Sequence, residues 1–271
     1  MPASSPLRRS LLIGAGLLAL PAIPARAAGE AGGALGRILR SGIVRIGVWL
    51  DAPPWGGYGH DGSPDGSEVA LARLLAQDLG VRPRLQRLAA RDRIDALEQD
   101  LVDLLVALVP ITPVTRRRVA FASPHGRLGV VVAAPRGSSI RSLQDLAGRR
   151  VALPDNTFAA EEMRGRLPPD TTALFLPDMI ACIDAAAHGR ADAAVIYDWL
   201  LRDLSVSRPD LEIEGLFAVS HTHTGMATRL GEHDLIRFLN TFLYLRGADG
   251  SLAEIHERYL RSTPPIGPIF R

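Results

Sequence analysis

The stretch Leu97–Ser123, LEQDLVDLLVALVPITPVTRRRVAFAS, decides the fold. Asp103 to Val109 is an almost continuous apolar run of strand length, the pattern of a strand covered on both faces of a sheet. Thr112-Pro113 then reads as a helix N-cap followed by a first-position proline, so a helix is expected through Arg116, Arg117 and Arg118. Phe121-Ala122-Ser123 returns to extended chain. A strand that delivers a loop to a helix N-terminus is an arrangement suited to holding a small anion.

Upstream, IVRIGVWL at 43–50 is a β-branched strand followed by Asp51-Ala52-Pro53-Pro54-Trp55 and a glycine-rich loop. Glu68–Leu79 places Leu71, Leu74, Leu75 and Leu79 on one helical face and stops at Gly80. Strand Arg84–Leu88 and helix Asp92–Glu98 complete a β-α-β-α-β order, which implies a parallel sheet with helical crossovers.

Downstream, strand Leu128–Ala134 opens a second unit of the same kind. Ser142 caps a short helix, strand Arg150–Leu153 follows, and Asn156-Thr157 opens a helix over Phe158–Arg166. Strand Thr172–Leu176, helix Asp178–His188, strand Ala191–Tyr197 and helix Asp198–Leu204 come next. Strand Gly225–Arg229 and helices Asp234–Arg246 and Leu252–Leu260 end the chain. The expected fold is α/β with two lobes, each a mainly parallel sheet flanked by helices. Residues 28–127 and 223–271 would form the first lobe and 128–222 the second. Ligands of such sheets bind beyond the carboxyl ends of the strands.

A hydrophobic content of 47% over 271 residues is enough for two packed cores. The chain has no lysine, so every side chain that is positive at neutral pH with histidine uncharged is an arginine. Residues 1–27 read as an export signal: Arg8-Arg9, an apolar run from Leu11 to Ala22, and Ala25-Arg26-Ala27 as the cleavage site, by a Sec or twin-arginine route. Cleavage near Ala27 removes Arg8, Arg9 and Arg26 and moves the formal charge from +2 to −1. A nearly neutral exported chain gives no electrostatic support to a nucleic-acid partner. The single Cys182 excludes an intramolecular disulfide.

Taken in order, these segments resemble the type 3 bacterial extracellular solute-binding proteins, the periplasmic receptors of amino-acid-type ABC importers. Val44–Val48 with Pro54-Trp55 is similar to that family's first strand and Pro-aromatic turn, and Gly66–Ala72 to its Gly-x-Asp-x-Asp-Leu-Ala helix start. Arg93-Ile94, Leu97 and Val102-Asp103-Leu104 follow its Arg-Ile…Leu…Val-Asp-Leu segment. Thr112-Pro113 with Phe121–Pro124 resembles Thr-Pro-Glu-Arg…Phe-Ser-x-Pro. Asp145–Val151 and Gly189–Ala193 resemble the Asp-Leu-Ala-Gly-Lys-x-Val and Gly-Arg-Ala-Asp-Ala of its second lobe, and Leu239-Asn240 with Asp249–Leu252 its closing helices.

The resemblance implies a two-lobe hinge fold, a small-molecule solute between the lobes and an inner-membrane permease as partner, with a monomeric periplasmic protein and no cofactor. It also exposes departures. Where the family's carboxylate-gripping arginine belongs stands Thr115, with Arg116 one residue later. The first-strand acid aligns with Trp49, with Asp51 two residues on, and the second-lobe acid aligns with Tyr197, with Asp198 beside it.

The candidate ligand-binding residues are therefore Pro110, Thr112 and Arg116 at the first-lobe corner, and Asn156, Thr157 and Phe158 on the facing helix start. Trp49 and Trp55 are candidates to stack on a flat or cationic group, and Asp51, Tyr197 and Asp198 to meet a polar one. Each also has a plainer reading: helix capping for Thr112 and Asp198, packing for the tryptophans, a solvated face for the arginines. His221-Thr222-His223 lacks a third ligand at metal spacing, so no metal is expected. No G-x-S-x-G or H-E-x-x-H occurs. Two alternatives stay open: an enzyme of the cyclohexadienyl or arogenate dehydratase type on the same fold, and a periplasmic accessory protein of a redox system.

Overall fold

Residues 32–264 are described in the computed structural model of the chain, and the expected export signal lies outside them. The first elements are α1 (Ala34–Ser41), β1 (Ile43–Val48), the short pair β2 (Gly57–Tyr58) and β3 (Pro64–Asp65), α2 (Ser67–Asp78), β4 (Arg82–Arg87), α3 (Arg93–Glu98), β5 (Leu104–Leu105) and β6 (Val119–Phe121). Next come β7 (Gly126–Pro135), β8 (Arg150–Pro154), α4 (Phe158–Met163), β9 (Thr172–Leu176), α5 (Met179–Ala187), β10 (Ala193–Tyr197), α6 (Asp198–Ser207) and β11 (Ile213–Thr224). The last are β12 (Ala227–Arg229), α7 (His233–Ala248) and α8 (Ser251–Leu260).

Two five-stranded sheets result, ordered β4-β1-β5-β12-β6 and β11-β7-β10-β8-β9. In the first, β1 runs parallel to β4 and β5, and β12 enters antiparallel between β5 and β6. In the second, β8 is parallel to β9 and β10, while β7 and β11 form a long antiparallel ribbon on its edge. Each sheet has its own core. Val44, Ile46, Leu71, Leu75 and Leu104 pack with Leu239 and Phe242 in the first lobe. Val130, Val151, Leu153, Ile183 and Val195 pack in the second. Each such side chain contributes about 1.5–3 kcal/mol by leaving water.

α7 and α8 belong to the first lobe although they come last in the chain. Phe242 and Leu252 complete that core, and Oδ1 of the Asn240 side chain accepts from the Ser123 N–H at 2.7 Å and its hydroxyl at 3.0 Å.

The chain passes between the lobes twice, through residues 122–126 and 224–227, and the two passes are bonded to each other. The Ala122 N–H donates to Met226 O and the His125 N–H to Thr224 O. A third segment lies alongside them: Gly225 N–H donates to Val109 O, Ile111 N–H donates to His223 O, and Pro110 bridges to Thr224. Packing is close at this junction. A Cβ on Gly126 would stand 2.4 Å from Thr224 Oγ1 and 3.1 Å from the Trp55 ring.

Three local expectations change. The apolar run at 103–109 pairs as a strand only over Leu104–Leu105, because Leu108 takes a left-handed φ of 53° and breaks the ladder. The helix from Phe158 ends at Met163 rather than Arg166. α1 is additional to the expected elements; Gly42 stops it in the left-handed region with its N–H on Ile38 O.

Candidate functional site

Trp49 follows β1 directly and packs against two cores at once. One is the second-lobe cluster; the other is the Leu88, Leu97, Leu105 and Val119 group at the end of the first sheet. It therefore marks where the lobes meet. Over its ring, 5.1 Å from the centroid, lies the guanidinium of Arg93. Arg93 begins α3 and turns back along the strand ends, where Nε donates to Ala90 O at 2.9 Å and Nη1 to Leu108 O at 3.0 Å and to Ala107 O. Burial draws its pKa down to about 10.

Tyr197 faces this group from the second lobe. It ends β10 and is 3% exposed. Burial raises its hydroxyl pKa to about 12 against the pull of Arg93, and Thr157 and the Ala159 N–H meet the same oxygen. Thr157 is the N-cap of α4: its hydroxyl accepts from Ala160 N–H at 3.3 Å and donates to Pro154 O at 2.7 Å. Phe158 is half-buried against the second-lobe core. The fold thus brings Trp49, Arg93, Tyr197 and Thr157 together, with one cation and no carboxylate among them.

Other sequence candidates are engaged elsewhere. The helix expected from Thr112 is a single 3-10 turn, Thr115–Arg117. The Thr112 N–H donates to Thr115 Oγ1, the Thr115 N–H to Thr112 Oγ1, and Thr115 Oγ1 to Pro110 O at 2.8 Å. That mutual clasp satisfies the backbone locally and leaves no α-helix to dock an anion. Thr115, in the motif arginine's place, is thereby a structural residue, and Arg116 is exposed on the turn. Asn156 is exposed, has a left-handed φ of 55°, and bonds to the Asp155 carboxylate.

Asp51 is exposed and pairs with Arg87 at 2.6 Å. Trp55 is buried in the second-lobe cluster against Gly126, and with Pro54, Arg127 and Asp198 it also lines a cavity that does not include Trp49 or Arg93. Asp198 accepts from the Gly129 N–H and approaches Arg202, away from Tyr197. His221 and His223 lie exposed on β11, and among the described residues no set of three metal-ligating side chains gathers.

Arg93 was absent from the sequence candidates. One signal pointed to it: an arginine in the first turn of a helix stands at the positive end of the macrodipole, where acidic residues are favoured.

A second polar group supports the junction. Glu68, His125 and His256 are 3%, 1% and 4% exposed. His125 Nε2 donates to Glu68 Oε1, and the Leu108 N–H donates to Glu68 Oε2 at 3.1 Å. Burial acts to raise the Glu68 pKa, but the charge and hydrogen bond of His125 and the Leu108 N–H outweigh it and hold the carboxyl below its ordinary range. Burial and the neighbouring His125 bring His256 down to about 4. Leu108 is thus gripped on both sides, its N–H by Glu68 and its carbonyl by Arg93.

Two lobes joined by paired crossings, with a polar and aromatic constellation at their meeting, define a solute-binding architecture. The chain belongs to the bacterial extracellular solute-binding proteins, family 3, whose sequence profile matches residues 44–262. It is 26% identical over 230 residues to the L-cystine-binding protein TcyJ of Escherichia coli (strain K12), covering 84% of this chain and 86% of that one. The cysteine-binding protein of Campylobacter jejuni superposes with a TM-score of 0.75 at 24% identity, over 89% of this chain and 97% of that one. An ancestral amino acid-binding protein, AncCDT-1, a precursor of cyclohexadienyl dehydratase, superposes at 0.74 with 23% identity, over 83% and 98%.

Proposed function

We propose that this protein is an exported periplasmic receptor that closes two lobes around a small carboxylate-bearing solute of amino-acid size and presents it to an inner-membrane ABC permease. The observation that carries the reading is the position of Trp49, packed against the cores of both lobes with Arg93 and Tyr197 opposed beside it. A solute seated there touches both lobes, so its binding favours the closed arrangement through differential contacts. Trp49, Thr157, Phe158 and Tyr197 are its proposed contacts, with the Thr112–Arg116 turn as the rim. The names of the relatives, which bind cystine and cysteine, support the solute size.

The dehydratase alternative has less support. Elimination needs a placed acid and base that exchange a proton near neutral pH. The titratable groups beside Trp49 are a guanidinium and a phenol raised to about 12, and Glu68, His125 and His256 are sealed from water.

The test is mass spectrometry of solute released by denaturing protein purified without refolding, followed by a thermal shift on adding that solute back. One retained small carboxylate and no turnover is the expected result. Conversion of prephenate or arogenate would overturn the receptor reading.

A further inference from the structure

We propose that the inter-lobe site selects an organic anion that carries no ammonium group, and that Arg93 is the residue that pairs with its carboxylate. This rests on the receptor reading and specifies the solute class.

A guanidinium has five N–H groups in a fixed fork. In Arg93 the Ala90 carbonyl takes the one on Nε, and the carbonyls of Ala107 and Leu108 are both met by Nη1. Nη2 has no partner among the described residues. Its two N–H groups, held in plane by the Trp49 ring beneath, are positioned donors for a carboxylate.

Two other partly buried arginines of the first lobe are neutralised: Arg45 by Asp100 and Asp103, and Arg229 by Asp100 and Glu232. Arg93 has only carbonyl dipoles and an aromatic face. Glu68 is the acid that acts on it from a distance, and that carboxylate already serves His125 and the Leu108 N–H. A half-buried cation without a counter-charge is costly unless a ligand supplies one.

An α-amino acid brings an ammonium group that needs a carboxylate in the site. Asp51 is paired with Arg87 and Asp198 with Arg202, while Asp155 and Glu161, the acid that acts on Tyr197, are both exposed to water on the second lobe. Tyr197 is neutral across the physiological range and supplies a hydroxyl instead. An ammonium group placed here would meet Arg93 as a like charge. A hydroxyl or oxo group would meet the Tyr197 hydroxyl as a hydrogen-bond partner, the Thr157 O–H being held by Pro154 O.

Calorimetry and thermal shift at neutral pH with three matched pairs test this: L-alanine against L-lactate, L-aspartate against L-malate, and L-glutamate against 2-oxoglutarate. The ammonium-free member of at least one pair is expected to bind at least tenfold more tightly than its amino acid, and Arg93→Gln to weaken that binding about a hundredfold. Any amino acid that binds as tightly as its partner overturns the proposal and leaves the receptor reading standing. Arg93→Gln also removes bonds to the strand-end carbonyls, so its fold is checked by circular dichroism. If it does not fold, the pair comparison on the unaltered protein decides. If none of the six binds, the solute retained on purification decides: an amine-free acid supports the proposal and an amine overturns it. No bound or retained solute of any kind overturns the receptor reading together with this one.

Discussion

His125 Nε2 lies 2.8 Å from Glu68 Oε1, with both side chains sealed from water where the chain first passes from one lobe to the other. The pair ties α2 to the crossing segment, and through Glu68 Oε2 it also fixes the left-handed Leu108. Glu68→Ala leaves His125 and the Leu108 N–H without an acceptor in a dry site. Removing one partner of a buried pair costs roughly 3–5 kcal/mol. Urea denaturation should show a loss of that size; a loss below about 1 kcal/mol would mean that water replaces the carboxylate.

The same cluster makes stability depend on pH. His256 titrates at about 4 when folded against 6.5 as a free side chain, so the unfolded chain binds the extra proton between those values. Stability is fully present above about pH 6.5 and falls as the pH drops toward 4, by on the order of 3 kcal/mol from this group. Glu68, with its folded value held below the ordinary one, adds loss in the same direction at still lower pH. The comparison is of urea midpoints at pH 7 and pH 5. His256→Gln should lose distinctly less than the parent protein over that interval; equal losses would place the acid sensitivity elsewhere.

Gly126→Ala should be destabilising. The added methyl meets Thr224 Oγ1 at 2.4 Å and the rim of Trp55 at 3.1 Å, and both neighbours are themselves buried. Overpacking of this kind costs about 1–3 kcal/mol. A melting temperature unchanged within a degree or two would show that the junction yields easily.

Thr115→Val removes the hydroxyl that donates to Pro110 O and accepts from the Thr112 N–H. The expected cost is about 1–2 kcal/mol, with faster hydrogen exchange at Thr112 and Thr115 than in the parent. Arg116→Ala, at an exposed site, should change stability by less than about 0.5 kcal/mol. A larger effect would reveal a contact for Arg116 that the turn does not show.

The strands were legible because their apolar runs are continuous, as in Ala193–Tyr197, and because Gly80 and Gly189 punctuate the helices between them. The amphipathic character of the penultimate helix was legible too, from Leu235, Leu239 and Phe242 recurring at helical spacing, but which sheet that face covers is a tertiary contact the spacing does not carry. The Thr112 turn was not. Thr-Pro announces a helix whenever the hydroxyl is free to cap, and nothing in the local sequence says that Thr115 will engage Thr112 and Pro110 first. Trp55 and Asp198 were read as site residues from their neighbours in the chain; they line one cavity, packed against Gly126 and Gly129, apart from Trp49. Arg93 escaped because an arginine on a six-residue helix looks solvated until the strand ends and Trp49 are placed around it.

The entry of β12 between β5 and β6 has a consequence for how the molecule comes into being. The second sheet is a continuous piece of chain and can close as soon as β11 exists. The first cannot: its fourth position stays vacant, and Leu104 and Ala122 lack Leu239 and Phe242, until nearly the whole polypeptide is present. Contacts of such long sequence separation form slowly. The half that emerges first is therefore finished last, and until then its unpaired β5 edge is the surface most open to wrong partners.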